Sequence, residues 1–423
     1  MKADLIVKNI GQLVTCASYG KPKKGSEMND VGMLKNGAVA IIDGRIAGVG
    51  TYDEIRNEFD ATSFLDAENK VVTPGFVECH THIVFAGDRI NEFELRIKGA
   101  SYLEIMEAGG GIVSTVEKTR KASLPELIDQ SRKRLDQLLE LGVTTCEVKT
   151  GYGLDTETEL KMLEAIFELD KNHPIDLIPT FLPAHAFPKE FKEHPDKYVD
   201  IICNEMLPKA KAVISSRSSA INYFVDVFCE KNAFTLEQSK KVLLTAKDLG
   251  FKLKAHVDEF TNLGCARFAI ENGATSVDHL DAISDAEIEL LANSETIGVV
   301  TPTVNFNFGS TEFADARKMI DAGCAIAVST DFNPGSAPCP SLPNAMAIAC
   351  RYQHLLPSEA LNAATINAAF AVGLGEKVGS IEVGKDADLL ILNAQDHRKL
   401  SYEFGGNCIE KVFKKGICVY ENK

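Results

Sequence analysis

Two histidines one residue apart, His80 and His82, sit where an apolar run turns polar. The stretch reads Pro74-Gly75-Phe76-Val77-Glu78-Cys79-His80-Thr81-His82-Ile83-Val84-Phe85. Side chains alternate on an extended backbone, so both imidazoles face one way and can grip one ion. Imidazole suits zinc, iron, nickel or copper, so the pair does not name the metal. Three later segments end in residues of the same chemistry: Lys254-Ala255-His256-Val257-Asp258-Glu259, Val277-Asp278-His279 and Ser329-Thr330-Asp331. Four of the nine histidines in the chain fall at such ends. A shared metal site explains that better than separate core histidines. Imidazoles with one carboxylate suit a divalent or trivalent transition metal. A bound metal lowers the pKa of its water from 15.7 toward about 7. Glu259, three residues past His256, is then a natural general base, with His279 and Asp331 the next candidates for proton transfer.

Something must bring these ends together. From about residue 74, apolar segments alternate with amphipathic helical patterns such as 124–141, 157–171 and 235–249. The first segment carries His80. The others are 143–148, 177–182, 224–228, 252–256, 275–279, 297–300 and 325–329. Eight such repeats predict a (β/α)8 barrel, whose chemistry lies at the C-terminal ends of its strands. Pro179 inside the third segment argues against that strand, since proline cannot donate to a ladder.

The flanks read differently. Residues 5–7, 39–42 and 46–50 are strand candidates, with Asp43-Gly44 a hairpin signal between the last two. Residues 17–35 read as a loop and 359–372 as helical. Residues 379–384, 387–392 and 411–413 read as strands again. The two flanks need each other as partners. The expected organisation is α/β: a (β/α)8 TIM barrel over 73–372, and a small β-sandwich domain built from 1–72 and 373–423.

Composition sets bounds. The net charge is −15, and no lysine or arginine block is present, which argues against a nucleic-acid partner. No apolar run reaches the roughly 18 residues needed to span a bilayer. Eleven cysteines are scattered without a Cys-x-x-Cys pair, and the first residues carry charges where a signal sequence would be apolar. The expectation is a cytoplasmic protein with reduced thiols, and homodimer is the default assembly.

Taken together, the His-Thr-His stretch, His256, His279, Asp331 and the tail from Gly379 to Leu392 resemble the metal-dependent amidohydrolase superfamily. Narrower motifs are similar to the imidazolonepropionase family. They are His80 to Arg89, Glu92-Phe93-Glu94-Leu95-Arg96, Ala108-Gly109-Gly110-Gly111-Ile112, Glu147-Val148-Lys149-Thr150-Gly151-Tyr152-Gly153-Leu154, Pro183-Ala184-His185-Ala186 and His256-Val257-Asp258-Glu259-Phe260. Thr150 stands where the family often has Ser. The resemblance implies hydrolysis of 4-imidazolone-5-propanoate by water to N-formimidoyl-L-glutamate. It implies one zinc or iron ion per subunit, held by His80, His82, His256 and Asp331. Arg89, Tyr152 and His185 would bind substrate together with Glu259, and Asn333, Gly335 and Ser336 would line the pocket. A guanidinium suits the propanoate because it offers a carboxylate two parallel hydrogen bonds. Either His279 or His185 would stabilise the oxyanion. Two-metal relatives use a bridging lysine on the fourth strand. Here that strand ends Val227-Phe228-Cys229-Glu230, Lys231 lies past the rim and Lys149 belongs to the second strand, which favours a single metal. Two alternatives remain. One is another cyclic amidohydrolase or nucleobase deaminase, which would have no use for a carboxylate clamp. The other is an inactive scaffold, which would be expected to have lost ligands.

Overall fold

The computed structural model describes residues 1–99, 110–217 and 223–422. Ala108 and Gly109 of the glycine-rich motif lie outside them. Both chain flanks meet in one eight-stranded sheet. Its N-terminal strands are β1 (Lys2–Val14), β2 (Met33–Ile42), β3 (Arg45–Thr51), β4 (Asp60–Asp66) and β5 (Val71–Pro74). The β2–β3 hairpin turns at Asp43-Gly44, both at positive φ, as that dipeptide favours. β4 and β5 both run parallel to β1, so this unit is not purely antiparallel. The register of β1 slips between Val7 and Ile10 around Asn9, whose φ is 54°. That bulge bends the long strand, so its first half pairs with β4 and its end with β5. The folded-over sheet encloses Val7, Ile10, Leu13, Val39, Val72, Leu389 and Phe413 as a sandwich core.

The barrel strands follow: β6 (Phe76–Glu78), β7 (Val143–Lys149), β8 (Asp176–Ala184), β9 (Phe224–Cys229), β10 (Lys252–Val257), β11 (Ser276–His279), β12 (Ile297–Val300) and β13 (Ile326–Val328). They form a parallel sheet in chain order. Helices Leu124–Glu140, Thr156–Asn172 and Leu236–Asp248 cover it, opened by Ser123, Asp155 and Thr235 side chains that cap their first free N–H groups. Pro179 is tolerated because the β8–β9 ladder begins only at Thr180.

β6 is three residues long, so the sheet curls shut by other means. Thr81 and Phe332 form a parallel bridge, and His82 N–H donates to Phe332 O at 2.9 Å. Glu78 is fully buried at this seam and accepts from the Ser329 hydroxyl, and from the Thr330 hydroxyl at 2.8 Å. Burial pushes its carboxyl up to about 7. The floor below is apolar. Val77, Phe224, Val299 and Ala327 pack on the alanines of helix Ile366–Ala371.

The chain then returns to the first sheet as β14 (Leu389–Leu392), β15 (Ile409–Lys414) and β16 (Ile417–Glu421), with β14 antiparallel to β5. Residues 379–384 are not a strand. They are a turn held by Glu382, which accepts from Ser18 N–H at 3.2 Å and Tyr19 N–H at 3.0 Å. No helix among the described residues is long and apolar enough to cross a membrane.

Candidate metal centre and substrate cavity

The rim where β6, β10, β11 and β13 end gathers the predicted residues. His80 and His82 lie just past β6, His256 within β10, His279 at the end of β11, and Asp331 three residues past β13. Asp331 Oδ1 lies 3.4 Å from His80 Nε2 and 3.5 Å from His82 Nε2, and His256 Nε2 is 3.3 Å from His82 Nε2. Ligand atoms of His80, His82 and His256 fall within 4.8 Å of one another, as do those of His80, His279 and Asp331. His80 Nε2 and Asp331 Oδ1 are buried without any hydrogen-bond partner among the described residues. Buried polar atoms are otherwise almost always paired, so convergent orphans fit a cation as the missing partner. Burial first, then nearby charges including Lys149, holds His80 well below its ordinary pKa. Burial with neighbouring imidazoles does the same for His82 and His279. Neutral imidazole is the form that ligates. Asp331 and His279 have φ of 49° and 84°, a region costly for residues with a Cβ, so the backbone is strained where it presents these groups.

The other ring nitrogens define tautomers. His80 Nδ1 lies 2.7 Å from Asp278 Oδ2, and His256 Nδ1 lies 3.0 Å from Asp226 Oδ2. Asp278 accepts the His80 Nδ1–H and leaves Nε2 as a lone pair aimed into the site, while Asp226 holds His256 by accepting its backbone N–H at 3.1 Å. His185 Nδ1 donates to Gly151 O at 3.0 Å, and its ring stacks on His82 at 4.9 Å. Burial lowers its pKa to about 3. Its Nε2 therefore carries no proton to donate. His279 differs, because its Nδ1 faces the Thr301 hydroxyl at 3.0 Å. A hydroxyl can donate as well as accept, so His279 can keep its proton on Nε2.

A cavity of about 410 Å³ opens above this floor. Arg89, Tyr152, His185, Glu259, Asn333, Gly335 and Ser336 all line it, with His82, His256, His279 and Asp331 at its base. Glu259 stands two residues past β10 on a loop that Glu230 organises, accepting from Phe260 N–H at 2.9 Å and Thr261 N–H at 3.0 Å. Burial, then the facing Asp331, holds the Glu259 carboxyl well above the usual range. The Asn333 side chain builds the last loop, since its Oδ1 accepts from the N–H groups of Gly335 and Ser336, both at 2.8 Å.

Known proteins resemble this chain over its whole length. Residues 229–419 match the model of the amidohydrolase family. An imidazolonepropionase of Chloroflexus aggregans is 51% identical, covering 99% of each chain. One of Herpetosiphon aurantiacus is 49% identical over 100% of this chain and 98% of that relative. The chain belongs to the imidazolonepropionase family. Among solved structures, Escherichia coli guanine deaminase superposes with a TM-score of 0.73 at 16% identity, covering 99% of both chains. A triazine hydrolase variant gives 0.77 at 15%, covering 99% of this chain and 95% of that one. At such identities these two speak for the fold alone.

Within this family member, a buried charge cluster supports the imidazole layer, and the motif reading gave it no role. Glu147 and Lys149 of β7, Asp226 of β9, Lys254 of β10 and Asp278 of β11 point into the barrel and are fully buried. Lys149 Nζ is 2.8 Å from Asp226, 3.0 Å from Glu147 and 3.5 Å from Asp278, and Lys254 Nζ is 2.9 Å from Glu147. Burial works against the Lys149 charge, but Asp226, Glu147 and Asp278 outweigh it and raise its pKa. The two carboxylates that orient His80 and His256 are thus themselves fixed by one ammonium. The available signal was charge at alternate positions inside apolar strands, as in Phe224-Val225-Asp226-Val227 and Cys146-Glu147-Val148-Lys149.

Glu159, also overlooked, builds the turn that carries Tyr152. Its carboxylate accepts from the N–H groups of Gly151, Gly153 and Leu154 at 3.0, 2.7 and 2.8 Å. Gly151 and Leu154 sit at φ of 104° and 54°, so the turn needs that anchor. Glu159→Gln offers one acceptor oxygen in place of two and strands at least one buried N–H. We expect a loss of about 1–3 kcal/mol in urea unfolding, with KM rising as Tyr152 shifts. An unchanged midpoint would remove Glu159 from this role.

Proposed function

We propose that this protein hydrolyses the ring C–N bond of 4-imidazolone-5-propanoate to N-formimidoyl-L-glutamate, using one zinc or iron ion per subunit. The observation that carries this reading is a single cavity with the imidazole–Asp331 cluster at its base and the Arg89 guanidinium in its wall. Its dimensions suit a five-membered ring with a short acidic chain. His80, His82, His256 and Asp331 would hold the ion. When bound, it would supply a Lewis acid that makes water acidic near neutral pH.

The chain's own groups do the rest. Arg89 and Tyr152 fix the propanoate and place the ring carbonyl over the cluster. Glu259 takes a proton from the attacking water. The water oxygen bonds to the carbonyl carbon, and the Nε2–H of His279 donates to the oxygen that gains charge. His279 takes this role over His185 because only His279 can present a proton there. Glu259 then returns its proton to the leaving ring nitrogen, the C–N bond breaks, and a carboxylate and a formimidoyl amine remain. The reading takes the enzyme as a cytoplasmic homodimer with no nucleic-acid or membrane partner. The net charge of −15 and the lack of a basic block support the part that concerns nucleic acid.

Ultraviolet loss of imidazolone-propanoate tests the reaction. Activity should vanish on exhaustive chelation and return with about one equivalent of metal per chain. Full activity in the chelated protein, or two tightly held equivalents, would overturn the single-metal reading.

A further inference from the structure

Arg89 and Arg96 flank the helix Ile90–Ile97, Arg89 at its N-cap and Arg96 in its last turn. Seven residues are about two helical turns, so both side chains leave the same face roughly 10 Å apart. They converge on one peptide. Arg96 Nη2 lies 3.5 Å from Gly335 O, and a Cβ on Gly335 would overlap Arg89 Nη1. Glycine at 335 is what lets Arg89 lie against the backbone there. Both arginines line the substrate cavity.

Their hydrogen-bonding capacity is unequally used. Arg89 spends its Nε–H on Thr115 Oγ1 at 2.8 Å. Arg96 stacks over the Phe308 ring at 5.1 Å, and its Nη1 is buried with no hydrogen-bond partner among the described residues. Glu92 lines the same cavity and its charge favours the Arg96 cation, but the two form no ion pair among the described residues. A buried, unpaired guanidinium N–H beside a second guanidinium is costly unless an anion lies between them.

We propose that Arg96 is a specificity-determining residue that joins Arg89 in a two-guanidinium seat for the substrate carboxylate. The seat makes the enzyme select ring substrates bearing a carboxylate chain over neutral rings of the same size. A carboxylate offers about four lone-pair directions, enough for both forks at once. This inference rests on the proposed reaction, since it names which group of that substrate the cavity grips.

The test uses the metal-loaded enzyme and two unreactive probes, imidazole-4-propanoate and 4-methylimidazole, with binding measured by calorimetry. Wild type should bind the carboxylated probe far more tightly. Arg96→Met keeps the stem on Phe308 but removes the charge. It should weaken imidazole-4-propanoate at least ten-fold and leave 4-methylimidazole within about two-fold, with metal content unchanged. Arg96→Lys should recover part of the loss, as a point charge without the fork does. In turnover, KM should rise while kcat changes little, the pattern of binding lost equally from ground and transition states. Unchanged binding of imidazole-4-propanoate in Arg96→Met overturns the seat, as does equal weakening of both probes, or a wild type that does not discriminate them. If wild type fails to turn over imidazolone-propanoate yet Arg96→Met loses the carboxylated probe selectively, the seat stands and the proposed reaction falls.

Discussion

Glu259→Gln is expected to lower kcat by about 10²–10⁴-fold, the usual worth of a positioned general base. The substitution keeps the shape of the side chain and its reach over the cavity, but the amide cannot accept the water's proton. Among the described residues Glu259 makes no hydrogen bond to the proposed metal ligands, so metal content should stay at the wild-type level, and imidazole-4-propanoate should bind as before. The loop itself is secured by Glu230, not by Glu259, so the variant should fold normally. A variant retaining more than about a tenth of the wild-type kcat lies outside that range and would move the proton acceptor elsewhere, with His279 and Asp331 next to test.

Lys149→Met should act through stability and metal affinity together. Removing the ammonium leaves Asp226, Glu147 and Asp278 buried around an apolar side chain. Breaking a buried ion pair by deleting one partner costs about 3–5 kcal/mol, which urea unfolding would read directly. Asp226 and Asp278 orient His256 and His80, so metal affinity should drop roughly 10–100-fold as well. Lys133→Met is the control. Lys133 pairs with Asp129 at 2.8 Å on the surface and should move stability by no more than about 0.5 kcal/mol. If Lys149→Met unfolds and binds metal like that control, the buried cluster has no structural task.

The barrel was legible because its strands are buried on both faces and so appear as short apolar runs spaced by helical periods. The residues at their polar ends were legible for the same reason, since a histidine after an apolar run stands out. The turn at 379–384 misled because Ile381 and Val383 alternate as in a strand, whereas Glu382 binds backbone donors 364 positions earlier, at Ser18. β16 escaped notice because it is a short edge strand with exposed residues, although Lys415 and Gly416 both have positive φ, as a two-residue hairpin requires. The charge cluster could not be read at all as a cluster. Glu147, Asp226, Lys254 and Asp278 lie on four strands, and only closure of the barrel makes them neighbours.

The pairing of β5 with β14 has a kinetic meaning. Thr73 pairs in register with Leu390, and the entire barrel lies between them in sequence. Loop-closure entropy must be met before such a contact stabilises anything. During synthesis at about 5–20 residues per second, β5 emerges many seconds before its partner exists. Over that interval its Val71 and Val72, buried in the finished sheet, have no strand on that side. The barrel can form as a unit in the meantime, and β14 then closes the open side of β5 once it has been made.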